Sequence, residues 1–99
     1  MSDIWIVHSH DEHYINYRVE KGPGARERVI EMILGGHFTG CIDRVDRYNV
    51  DEHIADNMSE DIAMALAMRI VESGDPPSDQ VRDLIEVELG VGTAIPAAA

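Results

Sequence analysis

The chain has 99 residues, 44% of them apolar and 27% charged, which is enough apolar material for one hydrophobic core and too little length for two. These proportions exclude an unfolded polar chain, and no apolar run reaches the roughly 18 to 20 residues needed to cross a bilayer. The formal charge of −11, from 19 acids against 8 bases, argues against direct binding of DNA or RNA, because Lys and Arg on phosphates supply most non-specific affinity.

Residues 3–9 alternate, with Ile4, Ile6 and His8 on one side and Trp5 and Val7 on the other, in a β-branched and aromatic run that predicts a strand. A polar turn at residues 9–12 leads into residues 13–20, where Ile15, Tyr17 and Val19 oppose Tyr14, Asn16, Arg18 and Glu20. This predicts a half-buried partner strand hairpinned to the first. Lys21-Gly22-Pro23-Gly24 is turn chemistry, and beyond it Val29, Ile30, Ile33 and Leu34 recur at helical spacing until Gly35-Gly36 stops the helix expected over residues 25–34. Residues 37–49 read both ways: Ile42, Val45 and Tyr48 stand three apart as in a helix, while Gly40 and the β-branched content allow a strand. We read a third strand, because two strands alone are marginal; the rest of residues 37–57 stays open.

Ser59 is placed to cap a helix that carries Glu60 and Asp61 in its first turn, where the helix dipole favours acids. Residues 62–71 then form a helix apolar nearly all round, with Asp61, Arg69 and Glu72 as its polar line, which predicts burial on most sides. Gly74 ends it, Asp75-Pro76-Pro77 connects, and Ser78 caps a last helix that turns Val81, Leu84, Ile85 and Leu89 inward and ends at Gly90. The expected fold is α+β: a small antiparallel sheet of two or three strands against three helices, in the order β-β-α-(β)-α-α. Residues 1–90 make the single domain, and the uncharged residues 91–99 are a C-terminal tail.

His8-Ser9-His10-Asp11-Glu12-His13, directly after the first strand, resembles the metal-binding signature of the metallo-β-lactamase superfamily, His-x-His-x-Asp-His after a strand. By position His8, His10 and His13 match that family's histidines, and the resemblance implies zinc or iron ligands there. The chain departs from it in carrying Glu12 where the family has aspartate, and in having a strand-like segment where the family has a helix. Apart from ancestry, three imidazoles within six residues, with Asp11, can meet zinc's four-ligand demand if the turn folds back; the alternative is a solvated polar turn. His37, Cys41 and His53 are too far apart in sequence to be added to the set.

No catalytic constellation emerges, and the chain is read as a non-enzyme without a cofactor. Cys41 lacks an adjacent base and the local signatures of catalytic cysteines, and is expected as a small core residue. Gly22-Pro23-Gly24 and Gly35-Gly36 lack what a phosphate cradle needs. A single cysteine and no basic region ahead of the first apolar run suit a reducing, cytoplasmic setting. Met64, Leu66 and Met68 are expected in the core, or as a homodimer seam if the domain leaves their helix uncovered.

Charge carries the functional reading. Residues 1–50 sum to −2 and residues 51–99 to −9. Asp79, Asp83 and Glu86 stack along the last helix at intervals of three or four, and Asp51, Glu52, Asp56, Glu60 and Asp61 precede or open the helix before it. Such a surface points to a partner protein complex with a basic, nucleic-acid-binding groove, steered into contact electrostatically. Size and acidity are similar in character to the small anti-CRISPR and anti-restriction inhibitors of phages and mobile elements.

Overall fold

The computed structural model describes residues 3–90; the tail expected at residues 91–99 lies outside them. The elements in chain order are β1 (Asp3–His10), β2 (Ile15–Lys21), α1 (Ala25–Leu34), β3 (Cys41–Asn49), β4 (Ile54–Asn57), α2 (Ser59–Ser73) and α3 (Asp79–Leu89). The strands make one antiparallel sheet in the order β2-β1-β3-β4. The α+β class, the three helices and the third strand match expectation, and the sheet gains a fourth strand. β4 is a four-residue strand, Ile-Ala-Asp-Asn, with only one apolar side chain larger than alanine, so no periodic pattern announces it.

The three helices pack on one face of the sheet. Trp5 and Val7 of β1 and Ile42 and Val45 of β3 meet Val29, Ile30 and Ile33 of α1, Ile62, Leu66 and Ile70 of α2, and Val81, Leu84 and Ile85 of α3. Each large aliphatic side chain withdrawn from water there contributes about 1.5–3 kcal/mol before its entropy cost. Leu34, expected inside, is 39% exposed, while its neighbour Ile33 in the same last turn of α1 is fully buried.

Ser59 does not cap α2 as expected. The helix begins at Ser59 itself, no side chain caps it, and the Ser59 hydroxyl accepts from the Val45 N–H at 2.9 Å, both residues being fully buried. The Met58 N–H donates to the Val45 carbonyl at 2.7 Å. Residues 58 and 59 thus continue the ladder of β4 for one more residue and sew α2 to the sheet. Ser78 does cap α3, accepting from the Val81 N–H at 3.3 Å.

The largest departure concerns β2. Antiparallel partners share a face, and the pairs Ile6↔Val19, His8↔Tyr17 and His10↔Ile15 put Ile15, Tyr17 and Val19 on the side away from the helices. They are 85%, 71% and 45% exposed, and Glu20 alone in β2 is partly covered, so the half-burial expected for this strand is not found. Facing the helices instead are Asn16, Arg18 and Glu20. Glu20 accepts from Arg28 Nε at 2.9 Å and from Arg18 Nε at 3.2 Å, while Arg28 also donates to the Pro23 and Lys21 carbonyls and ties α1 to the turn before it.

Those two guanidiniums, Arg28 first, hold the Glu20 carboxyl below its ordinary value of 4.5. A depressed folded-state value stabilises the fold above the ordinary range and loses that contribution as pH falls through the folded value. Glu20→Gln is therefore expected to lower stability at pH 7 by less than about 1 kcal/mol, the scale of a screened pair, with the deficit closing as pH falls below the ordinary value of 4.5 and through the lower folded value. Urea unfolding of both proteins along a pH series checks this; a deficit independent of pH would contradict it.

Candidate functional site

The histidines of the hairpin do not converge. His8 and His10 lie on the uncovered face of β1, and each takes its own carboxylate from β3: His8 Nε2 is 3.0 Å from Asp46 Oδ2, and His10 Nδ1 is 2.7 and 2.9 Å from the two oxygens of Asp43. His13 stands exposed in the turn, its ring edge-on to Tyr14. Asp11, the fourth candidate ligand, accepts from the backbone N–H groups of His13 and Tyr14 at 2.8 Å each, which closes the turn and pulls its carboxyl below the ordinary range. Among the described residues no three His, Cys, Asp or Glu side chains are grouped to hold a metal ion, and His37, Cys41 and His53 do not assemble one either.

Asp43 reaches His10 because β3 is bulged. The register steps from His8↔Arg44 to Ser9↔Ile42, so Asp43 is the extra residue and its side chain swings to the uncovered face. Asp43 is not among the residues expected to act, and the trace it leaves in the sequence is that Ile42 and Val45, both apolar, stand three apart, which in a strand requires one inserted residue if both are to be buried.

The acids divide into neutralised and bare. Arg47 takes Asp56 at 3.1 Å, Arg26 takes Asp61 at 3.0 Å and also Glu27, Arg69 takes Glu27 from α2, and Arg44 takes Asp46. Of the eight acids expected to face a partner, Asp56 and Asp61 are thus paired within the fold. Asp51, Glu52, Glu60, Asp79, Asp83 and Glu86 have no cation at ion-pair distance among the described residues. Nor do these six share a surface. Asp51 and Glu52 sit in the turn after β3, whereas Asp83 and Glu86 lie beside its first residues, some 25 Å away along a nine-residue strand.

Beside those first residues a groove of about 480 Å³ runs between β3 and α3, lined by Cys41, Ile42, Asp43, Gln80, Asp83, Leu84, Glu86 and Val87. β4 pairs only with residues 46–49, so no strand covers the outer edge of residues 41–44. Gln80 fixes the mouth by donating to the Phe38 and Gly40 carbonyls at 2.9 and 2.7 Å. Cys41 is exposed on the rim rather than in the core, because its partner in the sheet is His10 on the uncovered face. Val87, 78% exposed, adds an apolar edge. The arrangement suits a cationic side chain with an aliphatic stem, which can lie on Leu84 and Val87 and end between Asp83 and Glu86.

The second helix also departs from expectation. Leu66 is fully buried, but Met64, Met68 and Val71 are 52%, 62% and 61% exposed, so α2 is a core helix with one open stripe. No helix among the described residues is long and apolar enough to cross a membrane. The chain matches no protein-family model, no curated protein and no solved structure.

Proposed function

We propose that this chain is a small, acidic, non-enzymatic binding protein that docks the flank formed by α3 and the start of β3 on a basic surface of a partner protein. The observation that carries the reading is the disposition of charge: the arginines of the sheet and of α1 are spent on Glu20, Glu27, Asp46, Asp56 and Asp61, while Asp83 and Glu86, which line the groove, and Asp79 at the start of α3 have no ion pair with a described residue. Nucleic-acid-handling complexes present basic surfaces of the matching kind. A rigid acidic ribbon on such a surface blocks it, as phage and mobile-element inhibitors of the anti-CRISPR and anti-restriction type do. A reducing, cytoplasmic setting fits a lone exposed thiol.

The test compares the wild type with Asp79→Lys/Asp83→Lys/Glu86→Lys for retention of nucleic-acid-binding complexes from lysate at low and physiological salt, with Asp51→Lys/Glu52→Lys as the control. The groove variant is expected to lose affinity by about 100-fold or more, the loss of several desolvated charge contacts at once. The turn variant is expected to change association by no more than about threefold, as rim charges do. Added duplex DNA should displace the wild type. Unchanged affinity of the groove variant at physiological salt, with its circular dichroism intact, would overturn the reading.

A further inference from the structure

We infer that the uncovered face of the sheet seats a second copy of this chain, sheet against sheet. The face is built in rows by the registers of the strands: Lys21, Ile4, Tyr48 and Ala55; then Val19, Ile6, Asp46 and Asn57; then Tyr17, His8 and Arg44; then Ile15 and His10. Its apolar part is contiguous across β2, β1 and β3, and Ile15, Tyr17 and Val19 are its most open members. An edge strand that turns Ile15, Tyr17 and Val19 to water and Asn16, Arg18 and Glu20 toward the helical layer reverses the pattern of a one-sided sheet. Covering that face with apolar surface restores it.

Charge selects the occupant. The chain carries −11, yet this face is balanced, with Lys21 and Arg44 against Asp43 and Asp46. Arg44 and His8 bond Asp46, and His10 bonds Asp43, so no bare carboxylate faces outward. A second copy therefore meets no repulsion at the contact. Stacking sheet on sheet also turns both helical layers outward, with one sheet spacing of about 10 Å and two sheet-to-helix spacings of similar size between them, well beyond the screening length of about 8 Å. With the two-fold axis along β1, β2 of one copy lies over β3 of the other, which sets Tyr17 under Arg44 and Lys21 under Tyr48, two cation–aromatic pairs repeated by symmetry.

The patch spans about 20 Å along β2 by about 15 Å across three strands, about 300 Å² on each copy and about 600 Å² in all, which is the size of a weak, transient contact, so the dimer is expected to be populated only toward about 200 μM. Because apolar burial drives it and screened repulsion opposes it, salt strengthens it, whereas salt weakens docking of the acidic groove on a basic partner. Sedimentation velocity on the full chain from about 5 to about 200 μM, at about 0.05 and 0.5 M salt, reads this directly. The expected result is a dimer fraction that rises with protein and with salt, and that falls at least tenfold in association constant in Tyr17→Glu and in Val19→Lys. Met68→Lys, on the open stripe of α2, should leave it unchanged. Tyr17 and Val19 are exposed, so both variants are expected to fold, with melting curves as the check. A wild type that stays monomeric at about 200 μM would overturn the inference. So would a dimer that survives both face variants and dissolves in Met68→Lys, which would place the seam on α2.

Discussion

Gly40→Ala is expected to destabilise the fold by about 3 kcal/mol and to lower Tm by about 15 °C. Gly40 has φ +71°, and a Cβ built there would lie 1.9 Å from the His10 carbonyl oxygen and 2.9 Å from Asp11 Cα. Both obstacles are backbone, so no side chain can swing aside. Nor can the loop retreat easily, since Gln80 holds the Phe38 and Gly40 carbonyls from α3 and the Thr39 hydroxyl donates to Asp11 at 3.2 Å. The remaining escape is to part Cys41 from His10, which opens the first rung between β1 and β3. Gly36→Ala separates the two contributions. Its φ is +73° but nothing lies within 4 Å of the added methyl, so it carries the left-handed backbone penalty alone, about 1 kcal/mol. Urea unfolding of both variants checks the difference; equal losses would show that the close approach of loop and strand costs nothing.

Much of this architecture was legible because its local signals agree. Helix α1 runs from the turn glycines to Gly35 as its periodicity requires, and Ser78 caps α3 as its position requires. What stayed hidden was carried by tertiary contacts. The spacing of Ile42 and Val45 spoke for a helix, and the structure shows a strand with one residue inserted, two origins that a single sequence does not separate. Alternation in residues 15–19 was real, but which face is buried depends on what packs against it, and α1 meets β2 through the Arg28–Glu20 pair rather than through apolar side chains. Of the candidate site, the acids of α3 were readable from their spacing. Asp43, Cys41 and Val87 joined them only through the bulge and the packing of α3 on β3.

The two surfaces proposed for this chain answer opposite demands of one charge distribution. Placing every first-half arginine in an ion pair neutralises the sheet and the junction of α1 with α2, and leaves the acids of α3 and of the turn after β3 among those with no ion pair to a described residue. A neutral apolar face and a bare acidic groove lie on different layers of the molecule, so a dimer seated on the first leaves two copies of the second open to partners. Salt separates them experimentally, as it must favour one and oppose the other.

Ser59→Ala is expected to cost about 2 kcal/mol, more than loss of an ordinary helix cap. The hydroxyl it removes accepts from Val45, a central residue of β3 that is fully buried against Ile62 and Leu66 of α2. Alanine fits the space, so no steric change accompanies the substitution, and the Val45 N–H is left in an apolar site that water does not reach. An orphaned buried donor costs about 1–3 kcal/mol, whereas a solvent-exposed cap is partly replaced by water. Asn57→Ala provides the comparison, because the Asn57 side chain accepts from the Ser59 N–H at 2.9 Å from an exposed position and its loss should cost about 1 kcal/mol or less. Urea midpoints with an unchanged slope would measure both as stability effects. Hydrogen exchange at Val45 adds the local reading: with its acceptor gone, the amide should exchange through openings smaller than global unfolding, since α2 is no longer sewn to the sheet at that point. Equal costs for Ser59→Ala and Asn57→Ala, with Val45 exchange unaltered, would mean that packing alone joins α2 to β3.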